Sequence, residues 1–268
     1  MIMHLDTVQY LLGVLSGGLV GFSLGLFGGG GSILAVPLMV YLVGVANPHM
    51  AVGTSAFAVA VNAMINLVSH ARLGTVKWRC AALYSSSGVL GALLGSSIGK
   101  MIDGQKLLVL FGALMLVVSA LMLKRRQIAG NPGAQCNAEN APKVLSYGGA
   151  TGMLSGFFGI GGGFLIVPGL IGSTGMPIAN AVGTSLVAVS ALGLTTAGNY
   201  AVSGQVDWIL AGTFISGGIL GGVAGSTLCQ RLAASKGTLS AMLAILIFAV
   251  GLYVVVKGVI ALWWPVAG

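Results

Sequence analysis

Charge is scarce in this chain: Asp and Glu together number 4, Lys and Arg 12, and only 6% of its 268 residues are charged. An ordinary soluble domain carries about 25%. So few charges cannot coat a water-facing globule, and most of the chain must face lipid or other apolar helices. The class is a polytopic membrane protein. Cysteine is as sparse. Cys80, Cys136 and Cys229 are odd in number, far apart and without a CxxC spacing, so neither a disulfide framework nor a thiolate metal site is expected. They read as small apolar packing residues. No Lys or Arg lies between Met1 and Tyr10, which favours a retained first helix over a cleaved signal peptide.

Proline is rare too, at 7 residues, and the 45 glycines have no three-residue period. Collagen and low-complexity disorder are thereby excluded. The glycines sit inside apolar runs, as in tightly packed membrane helices. The net charge of +8 comes from short basic clusters between those runs. These are topology signals, and no nucleic-acid partner is expected.

Apolar runs bounded by Gly, Pro, Asn and charge divide the chain into a first membrane repeat (1–123), a polar linker (Lys124–Lys143) and a second repeat (144–268). The first holds Thr7–Phe27, Ser32–Val45, Ala51–His70, Trp78–Met101 and Gln105–Leu123. The second holds Val144–Phe158, Phe164–Ile171, Ala179–Tyr200, Trp208–Leu228 and Thr238–Val256. A spanning helix needs about 20 residues. The second run of each half is therefore too short to span comfortably, and the helix count lies between eight and ten.

The halves are related. Gly25-Leu-Phe-Gly-Gly-Gly-Gly31 with Val36-Pro37 matches Gly156-Phe-Phe-Gly-Ile-Gly-Gly162 with Val167-Pro168. Ala51-Val-Gly-Thr-Ser55 recurs unchanged as Ala181-Val-Gly-Thr-Ser185. Gly74, Trp78, Gly88, Gly91, Gly95 and Ser96 then match Gly204, Trp208, Gly218, Gly221, Gly225 and Ser226. So many ordered matches identify a duplication. Five membrane-entering helices per half is an odd number, which makes the repeats inverted. That count places Arg72, Lys77, Arg79, Lys124, Arg125, Arg126, Lys143, Arg231 and Lys236 on one side, satisfying the positive-inside rule with a cytoplasmic linker and both termini outside. Four per half would scatter them.

A GxGGG-type break, an apolar run with Pro, and a Gly-Thr-Ser helix start, each present once per half, resemble the sulfite exporter TauE/SafE family, also called the TSUP permeases. The likeness runs from Gly25 to about Gly225. It implies a multi-pass permease of the cell inner (plasma) membrane, without cofactor, carrying sulfite, sulfonates or other small organic anions. Substrates in that family are diverse.

The residues themselves suggest where an anion would bind. Gly28, Gly29, Gly30 and Gly31, with Gly159, Gly161, Gly162 and Gly163, lack the strand and the Lys-Ser/Thr of a phosphate loop. Consecutive glycines cost about 1 kcal/mol each in a continuous helix, so they read as helix breaks. Broken backbone in a bilayer is buried in protein or lines a wet cavity, and its free N–H groups can hold an anion. A turn needed only for packing is the alternative. Thr54 with Ser55, and Thr184 with Ser185, offer hydroxyls near helix starts, unless those hydroxyls bond back to their own helix. Ser55, Asn62, Asn66 and His70 share one helix face, as do Ser185, Thr196 and Asn199 in the other half. Such polar stripes line pathways or hydrogen-bond between helices. His70, beside the Arg72 loop, reads as an interfacial residue.

Gly13, Gly17, Gly21 and Gly25, then Gly91, Gly95 and Gly99, then Gly217, Gly221 and Gly225, form GxxxG faces that pack within one chain or between the chains of a homodimer. Trp78, Trp208, Trp263 and Trp264 fall at segment ends, as interfacial anchors do. Asp6, Asp103, Glu139 and Asp207 all lie at loops, leaving no carboxylate inside the spans for a proton relay. The expected protein is an anion transporter, most simply an exporter. An anion channel and a proton- or sodium-coupled uptake permease are the alternatives. The scattered His4, His49 and His70 supply no enzyme site or metal site.

Overall fold

The computed structural model describes residues 6–125, 131, 133–159, 163–232 and 238–263, and every regular element among them is helical. Helix α1 (Thr7–Phe27) starts where the Gln9 side chain accepts the Asp6 N–H at 2.9 Å. It stops at Gly28, whose φ of 61° only glycine adopts readily. The chain then doubles back through a 3₁₀ stretch (Gly28–Leu34), a short α2 (Ala35–Pro37) and a π-helical turn (Leu38–Leu42). Composition alone would merge Thr7–Leu42 into one apolar stretch of 36 residues. The Gln9 amide, however, donates to the Val43 carbonyl at 3.0 Å, so this returning arm runs down beside α1. The short helix expected from Ser32 to Val45 is thus irregular and begins at the break itself.

Helices α3 (Pro48–Arg72), α4 (Trp78–Gly99) and α5 (Gly104–Arg125) complete the first half. The second half repeats the plan: α6 (Ala141–Phe158), a short α7 (Gly163–Thr174) that returns so that Gly172 packs on Tyr147, then α8 (Ile178–Val202), α9 (Trp208–Leu232) and α10 (Thr238–Trp263). Seven helical stretches among the described residues are long and apolar enough to cross a membrane. Two of the four acidic residues cap helices. Asp103 accepts the N–H groups of Gln105 and Lys106, and Asp207 those of Ile209 and Leu210, each cap contributing about 1 kcal/mol. Asn47 does the same for α3 through His49 and Met50.

The two halves interlock. Gly17, Gly21 and Gly25 of α1 lie against the backbone of Phe214, Gly218 and Gly222 of α9, and Gly91, Gly95 and Gly99 of α4 against Gly149, Met153 and Phe157 of α6. Both pairs ascend together and are therefore parallel. Gly217, Gly221 and Gly225 complete the α1–α9 seam on Val14, Gly18 and Phe22. These glycine faces pack within one chain, the first of the two arrangements expected of them. α3 and α8, at equivalent places in the halves, run antiparallel: Gly53 packs on Tyr200 and Gly193 on Ala60. That direction is compatible with inverted repeats.

The cysteine reading is corrected. Cys80, in the first turn of α4, forms a disulfide with Cys136 of the linker, and both are buried. The linker folds over the start of α4, bringing together residues 56 apart; their spacing alone gave no hint of it. Cys229 is free and buried, as expected. Trp78 and Trp208 head α4 and α9 with their rings exposed. Trp263 closes α10, while Trp264 lies outside the described residues.

Candidate functional site

The two glycine breaks meet. Gly29 lies directly against Gly163, the first residue of α7, and a side chain on either would overlap the other's backbone. Gly28, at φ 61°, faces the Val182 carbonyl of α8, while Gly159, at φ 66°, faces Val52 of α3. Val52 and Val182 are equivalent positions, so the crossing is built twice. The nearest neighbour of Gly30 is the Leu243 side chain of α10, and Gly31 lies against the backbone of Ser23 and Leu24. All four glycines of the first break are buried. Gly161 and Gly162 lie outside the described residues.

Breaking α1 separates a peptide pair. Its last turn leaves the Gly25 carbonyl without an intrahelical donor. The Gly29 N–H, one turn on, donates instead to Ser185 Oγ at 2.9 Å, and the Ser185 hydroxyl donates to the Val182 carbonyl at 2.7 Å. The Gly25 carbonyl lies 3.2 Å from His70 Nε2. A serine of the second half and a histidine of the first therefore serve the two ends of the separated pair. His70 is 2% exposed. It is an interior residue holding α1, where the sequence suggested an interfacial one. The seven-four-four spacing that put it in line with Asn62 and Asn66 was the signal. Ser55, the counterpart of Ser185, is buried and donates to the Val52 carbonyl at 3.0 Å.

The two threonines have a different task. Thr54 Oγ1 accepts the Asp207 N–H at 2.9 Å, and Thr184 Oγ1 accepts the Lys77 N–H at 3.0 Å. Each hydroxyl holds the loop before α9 or α4 of the opposite half. The preceding Gly53 and Gly183 make room for Gln205 and Thr75 of those same loops. Within each Gly-Thr-Ser motif, glycine and threonine thus dock a loop; in the second copy, serine reaches the break.

Asn62 and Asn66 project from α3 onto Gly218 and Gly222 of α9. Asn66 donates to the Asn62 carbonyl at 2.9 Å, but neither polar atom of the Asn62 side chain has a partner, although that residue is 0% exposed. A buried amide left unpaired costs about 1–3 kcal/mol per group. Its acceptor and donors are available to something that enters. Thr196 is likewise buried without a partner for its hydroxyl. Asn199 is not brought to the crossing. It donates to Ser96 and Ser97 at the far end of α4, and Lys100 Nζ holds its carbonyl, its side-chain oxygen and Ser203 Oγ at 3.1, 2.7 and 2.9 Å.

The assembled centre is a neutral, glycine-walled meeting point with turned-out peptide groups, hydroxyls and one amide, and with the N-terminal, positive end of α7 pointing at it. No group of three or more His, Cys, Asp or Glu able to hold a metal ion occurs among the described residues.

Residues 13–254 match the family model described as sulfite exporter TauE/SafE. A "probable membrane transporter protein" of Xylella fastidiosa (strain Temecula1) is 54% identical over 253 residues, covering 93% of this chain and 96% of the relative. "Probable membrane transporter protein YunE" of Bacillus subtilis is 24% identical over 275 residues, covering 94% and 98%. A similarly described protein of Haemophilus influenzae is 30% identical over 205 residues, covering 72% and 74%. No solved structure matches the chain.

Proposed function

The chain belongs to the sulfite exporter TauE/SafE family and is a membrane transporter, and from that premise we propose that it exports small sulfur-containing or organic anions, such as sulfite or sulfonates, which bind where its two helix breaks cross. The observation that carries this reading is the contact of Gly29 with Gly163. At that point the first turn of α7 leaves backbone N–H groups without intrahelical acceptors, Ser185 and the Gly29 N–H that it holds line the break, and the partnerless Asn62 amide lies on the stripe leading away from it. Neutral donors and a helix N-terminus suit an anion without committing a counter-charge. Thr54, Thr184 and Asn199 support the site by fixing loops and helix ends.

Direction follows from charge. Nine of the twelve basic residues fall, in chain order, at the end of the molecule that carries the linker, which makes that end cytoplasmic in an inner (plasma) membrane. An anion leaving a cell with a negative interior gains about 2.3 kcal/mol per charge per 100 mV, so export runs downhill. The test is efflux from proteoliposomes loaded with sulfite, thiosulfate, sulfoacetate, taurine or acetate under an imposed potential. Saturable efflux with counterflow of at least one anion, faster with the interior negative, is expected. Flux of none of them, or flux indifferent to Gly163→Leu, overturns the proposal.

A further inference from the structure

We infer that the hydroxyls of Ser155, Thr196 and Tyr200 form a second, outer subsite, which holds the three-oxygen head of a sulfonate or sulfite as it leaves the crossing. This deepens the proposed function and rests on its placing of the anion at the breaks.

Three buried polar atoms of the second half carry the inference. Ser155 Oγ of α6, and Thr196 Oγ1 and Tyr200 Oη of α8, have no hydrogen-bond partner, although their residues are 1%, 0% and 0% exposed. Burying an unpaired hydroxyl is costly. Serine and threonine in a helix commonly avoid that cost by bonding to their own backbone, as Thr195 does with the Ala191 carbonyl at 2.8 Å. Thr196 and Ser155 do not, and the phenol of Tyr200 projects beyond its own backbone.

Helix packing brings the three to one region. Leu192 lies on Gly88 and Asn199 bonds to Ser96, so α8 and α4 run parallel and Thr196 falls level with Ala92. Gly156 packs on that same Ala92, which sets Ser155, its neighbour, at the same level. Tyr200 follows Thr196 by one turn on the same face of α8. Ser155 is itself one turn from Gly159, where the second break begins.

The repeat isolates these hydroxyls as a property of the second half. The equivalent positions of the first half are Leu24, Asn66 and His70. Leu24 is apolar, Asn66 donates to the Asn62 carbonyl at 2.9 Å, and His70 Nε2 meets the Gly25 carbonyl stranded by the first break. In the second half the Gly156 carbonyl accepts the Gly159 N–H at 3.0 Å. Tyr200 therefore has no stranded carbonyl to serve, and its hydroxyl is left for a ligand.

Charge and donor number name the ligand. Lys100 Nζ lies 5.8 Å from the centre of the Tyr200 ring, and its three hydrogen-bond partners, the Asn199 carbonyl, the Asn199 side-chain oxygen and Ser203 Oγ, are all neutral. Its positive charge is left to draw an anion towards the hydroxyls. Each hydroxyl donates one hydrogen, so three of them match the three oxygens of a sulfonate or sulfite, where a carboxylate offers two. With the linker cytoplasmic, Tyr200 and Lys100 lie at the outer ends of α8 and α4, and the subsite receives the anion after the crossing.

The test uses the full chain in proteoliposomes loaded with sulfoacetate or malonate, which share a skeleton and differ in one head group. Efflux below saturation is read as the ratio of the two anions, which does not depend on the amount of folded transporter. The wild type should favour sulfoacetate. Tyr200→Phe and Thr196→Val should each cut that preference by about three- to tenfold, and Tyr200→Phe should not lower the unfolding temperature in detergent, because its hydroxyl supports nothing in the fold. Ser155→Ala, with the same expected loss, takes the place of a variant that does not fold. Equal efflux of the two anions by the wild type overturns the inference while the anion site at the crossing stands. So does an unchanged ratio in either variant, or a Tyr200→Phe protein that unfolds at a lower temperature. Efflux of neither probe overturns the inference, and efflux of none of the anions of the earlier panel overturns the proposed function with it.

Discussion

The backbone N–H of Gly29 and the hydroxyl of Ser185, 156 residues apart, are joined at 2.9 Å across the two halves of the molecule. That bond replaces the helical one lost at the break, so the break is held open by the opposite repeat. Ser185→Ala leaves a buried N–H without a partner, at a cost of about 1–3 kcal/mol. The expected outcome is a lower unfolding temperature in detergent together with slower anion efflux. Unchanged stability and flux would mean that the break maintains itself.

Thr54→Val and Thr184→Val should behave alike. Each removes the acceptor for one loop N–H, of Asp207 or of Lys77, and each should destabilise by about 1–3 kcal/mol. If the hydroxyls serve these loops alone, half-saturation for the anion should change little while maximal flux falls with the amount of folded protein. A large rise in half-saturation at full stability would return the threonines to the binding site.

Sidedness is open to direct labelling. Leu73 and Val202 are exposed at corresponding ends of α3 and α8, and those helices run antiparallel. An impermeant thiol reagent should reach Leu73→Cys only from the cytoplasm and Val202→Cys only from outside. Labelling of both from one side contradicts the inverted arrangement.

The repeat, the helix breaks and the short second run of each half were legible because they depend on glycine and hydropathy, which act locally. The path of the returning arm was not. Whether Thr7–Leu42 is one span or a hairpin is decided by the long-range Gln9–Val43 contact. The helical stripes placed Asn62, Asn66 and His70 correctly on one face of α3, but a stripe has no marker for depth. Asn199 was carried along the α8 stripe past the crossing to the far end, where Lys100 holds it. The threonine hydroxyls also accept backbone N–H groups from a loop of the other half, which no spacing reveals.

The cysteine pair tests the same sidedness by chemistry. Cys80 and Cys136 lie at the basic end of the molecule. If that end is cytoplasmic, the pair sits in a reducing compartment. Rapid alkylation of growing cells before lysis should then find two free thiols, with the disulfide forming after isolation in air. A disulfide already present in the cell would place the linker outside and invert the assigned topology.

Gly30 separates packing from passage. A methyl at Gly29 would run into the backbone of Gly163, whereas one at Gly30 first meets Leu243, a side chain that can move. Gly29→Ala should therefore fail to accumulate as folded protein, and Gly30→Ala should fold with reduced flux. Two causes of that reduction can be told apart by a double-mutant cycle. If the methyl merely displaces Leu243, then Leu243→Ala in the same chain supplies the room and restores efflux. If the methyl instead stands where the anion must approach the backbone, the double variant stays slow although its stability recovers. We expect the second outcome, read as efflux of thiosulfate or sulfoacetate normalised to the amount of folded transporter. Full restoration in the double variant would leave the first glycine break with a packing role alone and move the search for the anion's path to the Asn62 side of α3.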